Sequence, residues 1–146
     1  MSFFDSLNIS ASGLTAERMR MDVTSENLAN AQTTQGANGQ PYRRQEVVLQ
    51  QVGGGFSSQL AGAIGQSGAT PGGVQVAGIV SDPTPDQLVY DPGHPGANAQ
   101  GYVSMPNVNP VTEMTDLISE SNSYQADVTA MSTAKTMYSK TLDLLK

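Results

Sequence analysis

Residues 113–142 read EMTDLISESN SYQADVTAMS TAKTMYSKTL. Met114, Leu117, Ser121, Tyr124, Val128, Met131, Lys135, Tyr138, Leu142 and Leu145 follow alternating spacings of three and four, and eight of these ten are apolar. Side chains three and four apart share one face of a helix, so a sustained repeat of this kind predicts a helix with one narrow apolar seam. Pro110 stands just before it, where a missing N–H costs little, and Thr112 or Thr115 is placed to cap. Glu113, Asp116 and Glu120 near the start and Lys135, Lys140 and Lys146 near the end suit the helix dipole.

The other end of the chain carries a weaker copy of the pattern. Phe4, Leu7, Ala11, Leu14, Arg18, Met21, Ser25 and Leu28 keep a seven-residue period, with Leu7, Leu14, Met21 and Leu28 at intervals of seven. Asp5 or Ser6 is placed to cap, and Asn30 with the polar residues after it to stop the helix. Each terminal helix spans roughly 40–50 Å at 1.5 Å per residue.

Glycine and proline separate these ends from the middle. Fourteen of the fifteen Gly lie between Gly36 and Gly101, and all eight Pro lie between Pro41 and Pro110. Both break helices, Gly through backbone entropy and Pro through a lost donor and a clash. The chain therefore divides into an N-terminal helix over 3–30, a middle region over 31–110 and a C-terminal helix over 111–146. In the middle, 42–52, 74–80, 88–90 and 101–105 read as short strands. Residues 53–73 hold eight Gly and read as a flexible loop. The expected fold is mainly α with a small β element: long N- and C-terminal helices forming a coiled coil, joined by a Gly/Pro-rich middle.

Composition narrows the function. Of 146 residues only 38% are hydrophobic and 5% aromatic, low for a domain that buries all its apolar surface alone. A net charge of -6 opposes phosphate backbones and anionic membrane surfaces, so neither nucleic-acid binding nor membrane insertion is expected. No secretory signal peptide is visible, and no apolar run approaches the roughly 20 residues that span a bilayer.

Catalytic chemistry has little to work with. The chain has no Cys and one histidine, His94, set between turn-forming residues in Asp91-Pro-Gly-His-Pro95. A triad would need His94 as its base, and nothing apolar beside it would tune it for that task. Asp82, Asp86 and Asp91 are spread among prolines and show no metal-loop spacing. The Gly-rich stretch 53–73 lacks the Gly-Lys-Ser/Thr ending of a phosphate cradle. No catalytic residue, cofactor or metal is expected.

Asn8-Ile-Ser-Ala-Ser-Gly-Leu14, then Arg20-Met-Asp22 and Asn27-Leu-Ala-Asn30, resembles the signature of the flagellar basal-body rod and hook family. The signature falls on Gly13, Leu14, Asn27, Leu28, Ala29 and Asn30. Gly39-Gln-Pro-Tyr-Arg43, Gly72-Gly-Val-Gln-Val76, Leu88 to Pro95, Gly101 to Val108 and the segment from Glu113 through Ser123-Tyr-Gln-Ala126 to Lys135 look like its proximal-rod members of the C type. The resemblance spans nearly the whole chain. It implies a structural subunit of the rod, the axial drive shaft that crosses the periplasm and transmits torque. It implies export by the flagellar type III apparatus without a cleaved signal. It also implies terminal helices that pair as a coiled coil and pack against copies of the chain, other rod subunits and inner-membrane ring or rod adaptor components.

Apart from the resemblance, narrow seams beside an apolar-poor middle call for helical partners, and non-closing contacts between copies build filaments. The expected assembly seam is Leu7, Leu14, Met21 and Leu28 with Met114, Leu117, Tyr124, Val128, Met131, Tyr138 and Leu142. In a lone chain these helices are expected to be partly disordered. Two alternatives stand beside the rod subunit: another rod or hook axial protein, and a secreted accessory enzyme that opens peptidoglycan.

Overall fold

The computed structural model describes residues 3–36, 38–52 and 72–143. The expected flexible loop 53–73 lies outside the described residues over 53–71. Among the described residues two helices enclose four strands in chain order: α1 (Phe3–Ala29), β1 (Gln45–Gln51), β2 (Val74–Ser81), β3 (Gln87–Tyr90), β4 (Tyr102–Met105) and α2 (Pro110–Asp143). Both helices fall where Gly and Pro are absent, apart from Gly13 within α1 and Pro110 opening α2.

The helix ends are set by local hydrogen bonding. α1 begins at Phe3, so Asp5 sits within its first turn, where a carboxylate suits the dipole, and not at the cap. At its far end the Asn30 side-chain amide donates to Glu26 O at 3.0 Å, and the Thr33 hydroxyl donates to Asn30 Oδ1 at 3.2 Å. α2 is capped by Asn109, whose Oδ1 accepts from the Val111 N–H at 3.0 Å. Thr112 and Thr115 lie inside the helix instead, and the Thr115 hydroxyl donates back to Val111 O at 2.9 Å. Pro110 has no N–H, so Val111 carries the first donor in need of a partner, and Asn109 is the residue that reaches it.

The strands form two two-stranded sheets, β1 with β2 and β3 with β4. β3 and β4 are antiparallel, with Gln87 opposite Met105 and Tyr90 opposite Tyr102. The Tyr90 and Tyr102 rings meet edge to face with centroids 5.3 Å apart. Gly101, at φ +82°, closes the connection: its N–H donates to Asn98 O, and a Cβ there would lie 2.9 Å from the Tyr90 ring.

The chain divides into two compact units. One comprises Met1–Met19, Val48–Gly78 and Glu120–Lys146. In it the Ser12 hydroxyl donates to Ile9 O at 2.7 Å and accepts from the Val74 N–H at 3.0 Å. Gly73 lets the strand come this close, since a Cβ there would lie 2.2 Å from Ser12 Oγ. Ala16 and Glu120 are its buried residues among those described. The other unit comprises Arg20–Val47 and Ile79–Ser119. Its buried residues among those described are Val23, Thr24, Asn27, Val103, Pro106, Val108 and Glu113. Nearly half of that set is polar, which directs attention to how those polar groups are matched.

Candidate functional site

Asn27 lies on the last turns of α1 and is 1% exposed. A primary amide offers two donors and two acceptor sites, and all must be matched when water is excluded. Its Nδ2 donates to Gln45 O at 2.9 Å and to Glu113 Oε2 at 3.0 Å. Its Oδ1 accepts from the Tyr42 hydroxyl and from the Gln45 N–H, each at 2.9 Å. One side chain thus joins the end of α1, the entry to β1 and the first turn of α2.

Glu113, equally buried, uses its second oxygen to accept from Arg44 Nε at 2.6 Å. Arg44 also pairs with Glu46, and its guanidinium lies 4.0 Å from Asp82 and 3.6 Å from Asp116. The hydrogen bond that Arg44 donates to Glu113, reinforced by the charges of Glu113 and Glu46, strengthens the hold of Arg44 on its proton against the cost of burial. Burial, then the charges of Glu26 and Glu113, push the Tyr42 hydroxyl up to about 12, so it stays a donor.

The backbone around Arg44 is fixed as well. Its N–H donates to Asn107 Oδ1 and its carbonyl accepts from the Asp82 N–H, at 2.9 and 2.8 Å. Asn107 Nδ2 in turn donates to Thr84 O at 3.2 Å. Asp82 accepts from the Thr84 hydroxyl and N–H, which hold its carboxyl below the usual range. Every partner in this cluster is a positioning contact. Each Glu113 oxygen is engaged, one by the Asn27 amide and the other by the Arg44 guanidinium.

The signature residues divide between the units. Asn27 and Asn30 serve the cluster and the helix end. A Cβ built on Gly13, in the other unit, would lie 3.0 Å from Asp127 Oδ2, so this glycine lets α1 approach α2 closely. Leu14 and Leu28 are half-buried and Ala29 is exposed.

The expected seam residues are placed as follows. Leu7, Met21, Leu117, Tyr124 and Met131 are half-buried, like Leu14 and Leu28. Met114, Val128, Tyr138 and Leu142 stand in solvent. Along α2 the more covered positions include 113, 117, 120, 124, 127, 131 and 134, again in spacings of four and three. Apolar Leu117, Tyr124 and Met131 alternate there with Glu113, Glu120 and Asp127. Reading for apolar residues alone passes over those carboxylates, and so misses the Asn27–Tyr42–Arg44–Glu113 cluster. The signal available in sequence is their seven-residue recurrence beside Leu117 and Tyr124.

His94 stays in its turn, where its Nδ1 accepts from the Gly96 N–H at 3.0 Å. Among the described residues no group of three His, Cys, Asp or Glu is arranged to hold a metal, and no helix is long and apolar enough to cross a membrane.

Comparison with known proteins places matches on the same two ends. The family described as flagella basal body rod protein matches residues 7–38, and the flagellar basal body rod FlgEFG protein C-terminal family matches residues 99–144. Over its full length the chain is 51% identical to the flagellar basal-body rod protein FlgC of Bacillus subtilis, with 100% of both chains covered. It is 44% identical to that of Yersinia enterocolitica, over 99% of this chain and 98% of the relative. It is 40% identical to that of Borreliella burgdorferi, over 100% and 99%.

Proposed function

The chain belongs to the FlgC family of flagellar basal-body rod proteins, and from that premise we propose that its two terminal helices build it into the proximal rod. It is a structural subunit of the flagellar basal-body rod and not an enzyme. The observation that carries this is the full-length identity to FlgC proteins, with both family matches centred on the terminal helices.

In our reading α1 and α2 pair as an antiparallel coiled coil. Gly13 adjoins Asp127 in one unit, and Asn27 bonds Glu113 in the other. Both members of the second contact lie fourteen residues from those of the first, onward in α1 and backward in α2.

The outer apolar positions, Met114, Val128, Tyr138 and Leu142, then meet copies of the chain and related rod subunits. Contacts of this heterologous kind do not close on themselves and extend into a tube that carries torque across the periplasm. Delivery through the flagellar type III apparatus, docking on inner-membrane ring or rod adaptor components, and completion of helical order only on assembly belong to the same proposal.

Val128→Asp tests it. A carboxylate at a site desolvated between subunits costs about 2–4 kcal/mol per contact. The variant is expected to be exported but not built into rods, so complemented cells do not swim. Normal swimming with Val128→Asp would sink the assignment of that face to assembly.

A further inference from the structure

The β3–β4 sheet has two outer edges, and they are finished differently. The Asp91 N–H donates to Gly101 O at 2.9 Å, so Asp91 and Gly101 form a hydrogen-bonded pair of this antiparallel ladder. Such pairs alternate along the strands. The N–H and C=O of Leu88 and Tyr90 on β3, and of Tyr102 and Ser104 on β4, therefore turn away from the sheet partner. On the β4 side Asn98 takes the place of a neighbouring strand at Tyr102. Its N–H donates to Tyr102 O at 2.8 Å, and its Oδ1 accepts from the Tyr102 N–H at 2.9 Å. On the β3 side, among the described residues, no hydrogen bond reaches the outward groups of Leu88 or Tyr90. Natural edges are blunted by Lys, Pro or a bulge. Gln87-Leu-Val-Tyr90 has no Lys or Pro and runs in unbroken register, and Leu88 and Tyr90 are 67% and 65% exposed.

We infer that the free edge of β3 is a self-pairing surface, on which β3 of a second copy of this chain docks antiparallel about a two-fold axis at Val89. Leu88 then forms a hydrogen-bonded pair with the partner's Tyr90, and Tyr90 with the partner's Leu88, so the outward groups of each strand meet those of the other. Gln87 stands opposite the partner's Asp91, an amide donor against a carboxylate, at both ends of the pairing. The remaining acid at each end, Asp86, lies 3.8 Å from Arg43, which tempers its charge. A two-fold contact closes on itself, so it belongs to the free chain and is not one of the contacts that lengthen a rod. Each strand contributes 4 residues, a small interface, so the pairing is weak and shows at high concentration.

The chain has no Cys, so one introduced thiol reports the pairing. Val89 meets its own copy as a non-hydrogen-bonded pair, with Cα atoms about 4.5 Å apart and within disulfide reach. Gln87 lies roughly 13 Å from its own copy, which puts it out of reach. On mild oxidation of the full chain at about 100 µM, Val89→Cys should give at least about fivefold more disulfide dimer than Gln87→Cys. Leu88→Pro removes an outward N–H that takes no part in the β3–β4 ladder. Added to Val89→Cys, it should lower the dimer yield to that of Gln87→Cys. In the Cys-free chain it should weaken self-association, read by sedimentation up to about 1 mM, at least about tenfold.

If Leu88→Pro loses the circular dichroism of the parent, Leu88→Asp carries the decision with the same expected result. It keeps the N–H and adds a like charge between Asp86 and Asp91. Equal disulfide yields from Val89→Cys and Gln87→Cys overturn the inference, and so does a parent chain that stays monomeric to about 1 mM. Self-association that the folded Leu88 variants leave unchanged also overturns it, and moves the contact to another face.

Discussion

Around Asn27 and Glu113 the chain buries polar groups, and along the outer face of α2 it leaves apolar ones in water. Asn27 and Glu113 are closed off from solvent with each side-chain oxygen and the Asn27 amide hydrogen-bonded. Val111, Met114 and Ile118, on the same first turns of α2, are 73%, 55% and 62% exposed. Further along the helix Met137 is 66% exposed. The informative deviations in any soluble chain are buried polar and exposed large apolar side chains, and here both occur on one helix. Hydrogen bonds are directional and contribute only about 0.5–1.5 kcal/mol net each, so they fix geometry more than they supply free energy. Apolar area yields about 25 cal/mol per Å² only when it is covered. Directional contacts kept inside fix local geometry, and apolar area left outside contributes free energy only where neighbours cover it.

Substitutions can break or sharpen that contrast. The largest effect on the chain itself is expected from Arg44→Met, which leaves Glu113 buried without its counter-charge. A loss of about 3–5 kcal/mol in urea unfolding is expected. A loss below about 1 kcal/mol would mean the buried pair holds nothing.

Tyr42→Phe should cost less, about 1 kcal/mol, by removing one donor from Asn27 Oδ1. It also tests the titration. The Tyr42 hydroxyl is raised from 10.0 to about 12 in the folded chain, so the unfolded chain loses this proton first as pH rises. The stability that Tyr42 contributes is full below about pH 10 and declines from there to about 12. Alkaline unfolding curves of the parent and Tyr42→Phe should differ in that window; coincident curves would contradict the assignment.

Ile118→Lys should leave the stability of the isolated chain within about 0.5 kcal/mol, because the side chain already stands in water. Swimming should nonetheless be lost when it replaces the parent in cells. A variant that unfolds the chain would show that this face is not reserved for neighbours. His94→Ala is expected to do least. It removes an acceptor from one exposed turn, and both thermal stability and swimming should be unchanged.

The contrast also marks how far the sequence could be read. Helix positions and strands were legible because their causes are local. Gly and Pro are excluded from helix interiors, the 3–4 spacing is a property of neighbouring turns, and 74–80 and 88–90 carry strand composition wherever they are placed. The observed bounds, Phe3–Ala29 and Pro110–Asp143, follow those cues closely. The cap was less legible. Asn109 and Thr112 are both good capping residues, and the choice turned on which of them reaches the Val111 N–H beside Pro110.

The cluster was not legible, for a different reason. Asn27 and Glu113 are 86 residues apart, and Arg44 and Glu113 are 69. A carboxylate on a helix reads as a solvated face unless a cation and an amide are brought to it from elsewhere, and local pattern carries no information about either. The sequence by itself determined two terminal helices, a Gly/Pro-rich middle and, through the full-length likeness to FlgC, the family. Only the tertiary structure decided which face of α2 is inside. Desolvating Glu113 is tolerable solely where Asn27 and Arg44 converge on it, and that convergence exists only once the chain has folded.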